Sequence, residues 1–177
     1  MTIELTSVWF AGAGNLYNRE FYAIAKARLA ESGILQQWVQ LHHTTEDVIA
    51  SQMATVRSEF AHVRFFSRGD QGFLVASERP LVVDDARLRA LEVRPALRET
   101  LGDAASLREY GESQVFDERQ LDAFVDAVAR RRGVSRDALV STDDNLRIEY
   151  DTPRNNVPGM PAIDATLRAL EASKSAR

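Results

Sequence analysis

Ile34-Leu-Gln-Gln-Trp-Val-Gln-Leu41 is the stretch from which the fold of this chain can be worked out. It follows the helix-stopping pair Ser32-Gly33 and predicts a strand. Upstream, residues 2–7 alternate apolar and polar side chains and predict an earlier strand. Between the two strands, residues 16–30 offer one apolar helical face, and Asn15 can cap that helix.

The pattern continues downstream with a second helix and a hairpin. Thr44 and Asp47 resemble a capping box and predict a helix that ends near Phe60. Residues 62–67 and 72–77 predict two short strands around a turn signal at Arg68-Gly-Asp-Gln71. The resulting order βαβαββ favours an α/β sheet of about four strands that ends in an antiparallel hairpin.

The pattern changes after Pro80. Period and composition predict helices over 84–92, 95–101, 103–110 and 117–132, a short alternating strand at Leu146–Tyr150 and a last helix from about 162 to 172. We therefore expect two regions, an α/β region over 1–80 and a helical extension over 81–177 with a short strand near 146–150.

Composition excludes several kinds of protein and site. The 177 residues include no cysteine, which rules out disulfides, thiolate nucleophiles and cysteine-ligated metals. A formal charge of -4 argues against a broad nucleic-acid surface. No apolar run approaches the ~20 residues that span a bilayer, and the N-terminus does not resemble a signal peptide. We expect a cytoplasmic chain, or the cytoplasmic part of a membrane-associated parent.

The carboxyl ends of the first two strands mark the expected binding rim, at residues 6–15 and 41–45. Gly12-Ala-Gly14 only weakly resembles a dinucleotide fingerprint, because Tyr17 stands where glycine or alanine is required. A loop that bends sharply or passes close to a ligand is the better interpretation. His42-His43 follows the second strand; adjacent histidines point apart, which favours a surface or capping pair over a metal site.

Three acidic residues are further candidates for the functional site. Glu4 lies within the first strand, where a buried charge must be paired or functional; the alternative is a solvated sheet edge. Asp143-Asp144 could bind a cation or an amine, but their setting in Ser141-Thr-Asp-Asp-Asn145 favours an Asx turn.

Two sets of residues carry a resemblance to a known family. Residues 3–13, 16–22 and 33–38, with Leu16-Tyr17-Asn-Arg-Glu-Phe-Tyr22 at their centre, resemble the spermidine/spermine synthase family. Residues 141–150 with Pro153-Arg154 resemble the C-terminal signature of a bacterial branch of that family, often fused to membrane segments. The resemblance implies a class I methyltransferase-like, Rossmann-like sheet. It also implies transfer of an aminopropyl group from decarboxylated S-adenosylmethionine to a diamine.

The resemblance also assigns candidate site residues. The family's two loop acids fall on Leu5 and Val8, so Glu4 is the nearby acid that could serve as the catalytic base. The family's glutamine falls on Trp38. The candidate substrate-binding residues are Ser7, Trp9, Asn15, Gln37, Gln40, His42, Asp143 and Asp144.

In this family the strand at 2–7 is the fourth, and the first three strands hold the cofactor. We therefore expect the C-terminal half of such a domain, a truncated or degenerate member that binds no cofactor alone. S-adenosylmethionine or its decarboxylated form is expected only for an intact parent. The expected partner is the missing N-terminal half or a second copy. The alternative is a non-enzymatic oligomerisation or interaction module that uses the exposed edge of the first strand.

Overall fold

The computed structural model describes residues 1–5, 8, 10, 12–68, 71–101, 107–151, 168, 170 and 172. The strands of these ranges are β1 (Thr2–Ile3), β2 (Leu35–Gln40), β3 (His62–Arg68), β4 (Gln71–Ser77) and β5 (Gln114–Phe116). The α-helices are α1 (Arg19–Arg28), α2 (Glu46–Glu59), α3 (Asp85–Glu92), α4 (Pro95–Leu101), α5 (Leu107–Glu112), α6 (Glu118–Arg132) and α7 (Arg147–Asp151). Short 3-10 helices occupy Ala13–Tyr17 and Arg136–Leu139.

The strands form one mixed sheet in the order β1-β2-β4-β3-β5. β1 runs parallel to β2, whereas β4 lies between β2 and β3 and is antiparallel to both. The predicted α/β class and antiparallel hairpin are therefore confirmed. The strand β5 was not predicted; it adds a fifth strand beside β3.

The main core lies on one face of the sheet, under α1, α2 and α6. α2 is buried along residues 48–56, and its first turn is capped by Thr45, whose hydroxyl accepts from the Val48 N–H at 3.4 Å. This cap is one residue later than the predicted Thr44. Phe116 of β5 and Leu121, Phe124 and Val125 of α6 belong to the same core cluster as Leu35 and Phe65. Residues after 80 thus complete the core that begins before residue 80.

The opposite face of the sheet is covered less tightly. On this face Phe66 and Phe73 are half-buried and Arg68 is exposed, whereas Phe65 and Leu74 on the core face are buried. α3 has no buried residue, and Val82 and Val83 before it are 81% and 60% exposed.

The expected strand near 146–150 is instead the helix α7. The Asn145 side-chain oxygen accepts from the N–H groups of Thr142 and Arg147, at 3.0 Å each, and so folds the chain into a turn that enters a helix. The alternating apolar pattern does not mark one face here, since Ile148 is buried and Tyr150 is 61% exposed. A run this short fits a helix turn as well as a strand.

Two other predictions are only partly covered by the described residues. β1 spans only Thr2–Ile3 of the strand predicted over 2–7: Glu4 and Leu5 are not in a strand, so that part of the prediction is wrong, and residues 6 and 7 lie outside the described set. The last predicted helix also lies mostly outside it, although residues 168, 170 and 172 are helical. Across the part of the chain that is described, no helix has the length and apolar character needed to cross a membrane.

Candidate functional site

The glycine loop after β1 is in contact with α7. Gly12 adopts a left-handed conformation (φ 84), and its N–H donates to Glu149 Oε2 at 3.1 Å. A Cβ added at Gly14 would lie 2.8 Å from the Glu149 Cβ, which no ordinary contact allows. The loop therefore bends sharply at Gly12 and passes close to α7 of the same chain, whereas its approach to a ligand stays a prediction.

Asn18, at the start of α1, is hydrogen-bonded to the turn before α7. Its Nδ2 donates to Asp143 Oδ1 at 3.1 Å, and its Oδ1 accepts from the Ser141 hydroxyl at 2.7 Å. Glu20 Oε2 accepts the Asp143 backbone N–H at 3.0 Å. We call these four residues, Asn18, Glu20, Ser141 and Asp143, the Asn18 junction.

The junction is connected to the core through α2. The Thr55 hydroxyl accepts the Ser141 N–H at 2.9 Å and donates to the Ser51 carbonyl at 2.6 Å. The Ser51 hydroxyl in turn donates to the Leu139 carbonyl at 2.6 Å. Because these buried polar groups satisfy one another, the turn before α7 is held firmly against α2.

A small apolar cluster lies beneath the glycine loop. It consists of Val8, Tyr17 and Ile148, with Leu5 and Leu16 packed against it. The Tyr17 hydroxyl donates to the Trp38 carbonyl at 3.0 Å, and burial raises the pKa of Tyr17 well above its ordinary value. Ile148 of α7 thus belongs to the same apolar cluster as Leu5 and Val8, the two positions on which the family's acids fall.

The rim candidates are placed as follows. Glu4 is exposed directly after β1. Asn15 lies at a groove of about 450 Å³ that Glu20, Phe21 and Asp143 also line. The structure thus brings Asn15 and Asp143 together, whereas Asp144 is exposed in the adjoining turn. Ser7 and Trp9 lie outside the described residues.

The glutamines of β2 do not converge on one site. Gln37 and Gln40 are both buried, but an odd spacing in a strand places them on opposite faces of the sheet. Gln40 Nε2 donates to the His42 carbonyl at 2.7 Å, and Gln37 Nε2 lies 3.5 Å from the Trp38 carbonyl. Within the described residues the side-chain oxygens of both glutamines have no hydrogen-bond partner.

His42 is half-buried at the end of β2, and its ring centre lies 5.6 Å from that of His43 at 81°. In the ranges that the structure describes, no group of three histidine or acidic side chains could hold a metal ion.

Sequence reasoning missed the junction residues Asn18, Glu20 and Ser141. Asn18 and Glu20 lie inside the Leu16–Tyr22 stretch that carries the resemblance, so their location, although not their role, was marked. Burial acts to raise the pKa of Glu20, but hydrogen bonds from the Glu20 and Asp143 N–H groups and the charge of Arg19 outweigh it and lower that pKa from 4.5. Glu20 is accordingly ionised at neutral pH.

The candidate site is thus a rim against which the turn before α7 packs. Of the candidate residues that the structure describes, Glu4, Asn15, Asp143 and Asp144 are exposed. No protein-family model and no curated protein matches the chain. Its function is therefore inferred from the geometry and from the residue pattern.

Proposed function

We propose that the chain is a cytoplasmic spermidine/spermine synthase-like protein that forms the C-terminal half of a Rossmann-like, methyltransferase-like domain. In this proposal it binds no cofactor and transfers no aminopropyl group by itself. The observation that carries it is the Asn18 junction. The two stretches on which the resemblance rests contribute residues 125 apart in sequence, Asn18 and Asp143, that are hydrogen-bonded to each other.

The sheet supports the same assignment. The parallel pair β1 and β2, joined through α1, is followed after α2 by the antiparallel pair β3 and β4. This is the arrangement that the resemblance implies for the later strands of such a domain, down to the antiparallel hairpin at the end.

The rim chemistry argues against transfer by this chain alone. Aminopropyl transfer needs a carboxylate that deprotonates the attacking amine, held in line with the sulfonium carbon. Leu5 and Val8 cannot accept a proton, and both belong to an apolar cluster with Ile148. Glu4 is the acid that we propose as base in a completed domain, with Ser7, Trp9, Asn15, Gln37, Gln40, His42, Asp143 and Asp144 on the substrate side.

A ligand-induced change in melting temperature tests this proposal. The chain alone is expected to show no shift with S-adenosylmethionine, its decarboxylated form or methylthioadenosine, because the residues for that cofactor belong to another segment. A saturable stabilisation by any of the three, of the size that binding to the native state produces, would contradict it.

The reading frame upstream of Met1 provides a second test of the proposal. If the chain completes a longer domain, an in-frame strand, glycine-rich loop and helix precede it. The protein expressed with that segment should be stabilised by S-adenosylmethionine or by its decarboxylated form. An upstream frame that encodes no such segment would contradict the proposed assignment.

The edge of the sheet favours a second candidate function, that of a non-enzymatic oligomerisation or interaction module. Among the residues that the structure describes, no strand pairs with the outer side of β1, and Met1 and Thr2 are exposed there. Open edges pair with other strands. Light scattering at high concentration should then show a homodimer that Thr2→Pro weakens. A wild-type chain that stays monomeric would exclude this candidate.

A further inference from the structure

A cavity of about 580 Å³ lies on the loosely covered face of the sheet. Its floor is apolar: Phe66 of β3 and Phe73 of β4 are directly paired across the strands, and Val75 lies two residues further along β4. Leu88 of α3 and Leu107 of α5 close it from the other side. Its volume is in the range of pockets that hold small organic molecules.

Polar groups stand at one end of the cavity. Arg68 and Gln71 occupy paired positions at the hairpin end of β3 and β4, and both line it. The Gln71 side-chain oxygen accepts from the Trp38 indole, which fixes the amide in place. Among the lining residues that the structure describes, Arg68 is the one with a charged side chain, so this part of the cavity combines an apolar body with a cationic group.

A second arginine on the same face provides an internal comparison. Arg64 lies four residues before Arg68 on β3 and therefore points to the same face. It does not line the cavity and instead has its Nε 3.6 Å from Glu118 Oε1. The two arginines thus share a strand and a face but only Arg68 borders the cavity.

Gly111 of α5 lies in the cover of the cavity. It is exposed and lines the cavity, and a Cβ added there would meet no heavy atom within 4 Å. A larger side chain can therefore be introduced at the cavity without a steric clash.

We infer that this cavity binds an amphipathic monocarboxylate, with the apolar body on Phe66 and Phe73 and the carboxylate at Arg68. A guanidinium pairs with a carboxylate through two parallel N–H donors, which is the strongest polar recognition available at this end of the cavity. The site lies on the opposite face of the sheet from α2 and the Asn18 junction. It is therefore independent of the proposed transferase-like function.

Isothermal titration of the full chain tests the inference, with octanoate and 2-naphthoate as probes. Octan-1-ol and octylammonium provide the comparison, because they keep the apolar body and change the head group. The carboxylates should bind more tightly than either. Arg68→Gln should weaken carboxylate binding by about tenfold or more and leave octan-1-ol unchanged, whereas Arg64→Gln should change neither.

Gly111→Leu tests the location of the site. It should abolish binding of all the probes by filling the cavity, while Gly111→Ala, which adds one carbon, should leave binding within about twofold. Both variants should fold, since each replaces a helical glycine by a better helix former.

Three results would overturn the inference. The first is a wild-type chain that binds neither carboxylate. The second is an Arg68→Gln variant that binds carboxylates as wild type does or loses octan-1-ol as well. The third is a Gly111→Leu variant that binds as tightly as wild type.

Discussion

Asn18 and Asp143 are joined by a hydrogen bond of 3.1 Å between the Asn18 amide and the Asp143 carboxylate. The Asn18 side chain is buried, and its oxygen accepts from the Ser141 hydroxyl at the same time. One amide thus holds the turn before α7 against the start of α1.

Asn18→Ala should lower the free energy of unfolding by about 1–3 kcal/mol, because the buried Ser141 hydroxyl loses the acceptor of its proton and one Asp143 oxygen loses its donor. Urea denaturation measures the change. Asn15→Ala is the matched control: Asn15 is exposed three residues earlier, and its replacement should change stability by no more than about 0.5 kcal/mol. Equal effects of the two substitutions would contradict a structural role for the junction.

Gly14→Ala should destabilise the protein by about 1–3 kcal/mol, because the new methyl group would overlap the backbone and Cβ of Glu149 and displace α7. Gly111→Ala, where the added carbon meets open space, should be neutral or stabilising by up to about 1 kcal/mol. Thermal melting of both variants checks the contrast. A Gly14→Ala variant as stable as wild type would mean that α7 does not pack here.

Tyr17 and Tyr22 are both buried but differ in their hydroxyl groups. Tyr17→Phe removes the hydrogen bond to the Trp38 carbonyl and should cost about 0.5–1.5 kcal/mol. Among the described residues the Tyr22 hydroxyl has no hydrogen-bond partner, so Tyr22→Phe should be neutral or stabilising. Chemical denaturation of the two variants measures the difference, and the reverse ranking would contradict this geometry.

The burial of these two tyrosines predicts that the folded protein loses stability at alkaline pH. Burial raises the pKa of Tyr22 well above 10.0, with the charge of ionised Tyr17 as the smaller cause, so the folded protein keeps this phenol protonated. The unfolded chain releases the proton above about pH 10, and stability should fall from there as pH rises. The tyrosinate absorbance that Tyr22 contributes, taken as wild type minus Tyr22→Phe, should then appear only with unfolding, and unfolding of Tyr22→Phe should move to higher pH. Gradual ionisation of Tyr22 in the folded protein would contradict the prediction.

The lowered pKa of Glu20 predicts that protonation of its carboxylate contributes to unfolding in acid. Its lowered pKa means that its carboxylate stabilises the folded state above about pH 4.5 and that this stabilisation is lost as pH falls through the lowered folded pKa. Glu20→Gln should therefore lower the melting temperature at neutral pH and flatten its decline in acid.

Glu78 offers a matched comparison away from the junction. Burial acts to raise its pKa, but hydrogen bonds from Lys26 and the Ala61 N–H, with the charges of Lys26 and His62, outweigh burial and lower it. Glu78→Gln should flatten the acid decline as well, and the double variant should show the sum of both effects because the sites share no partner. An acid decline that neither substitution alters would contradict both assignments.

The sequence pattern predicts those helices and strands that are determined by residues close to one another in the chain. The capped start of α2 and the hairpin of β3 and β4 depend on residues close in sequence, and both are observed near their predicted bounds. β5 has only three residues, and its pairing with β3 depends on Phe116 packing beside Phe65. No local signal marks such a strand, because its stabilising contacts come from a distant part of the chain.

In the candidate site, too, the features that depend on neighbouring residues could be predicted and those that depend on distant residues could not. The turn at Asp143 follows from its Asx-rich neighbours and is observed, although it leads into a helix and not a strand. The tight passage at Gly12 and Gly14 was also expected from their missing side chains. That Glu149 would fill this space could not be predicted, since 137 residues separate it from Gly12 and no periodicity connects them.

The placement of β4 between β2 and β3 has a consequence for how the chain acquires its structure during synthesis. β2 leaves the ribosome well before its antiparallel neighbour, so it must wait, with an unpaired side, until residues 71–77 have been made. The hairpin of β3 and β4 needs only a short loop closure and is the faster step. The nascent chain should therefore assemble this sheet from the hairpin outward, with β2 and then β1 added to an existing template.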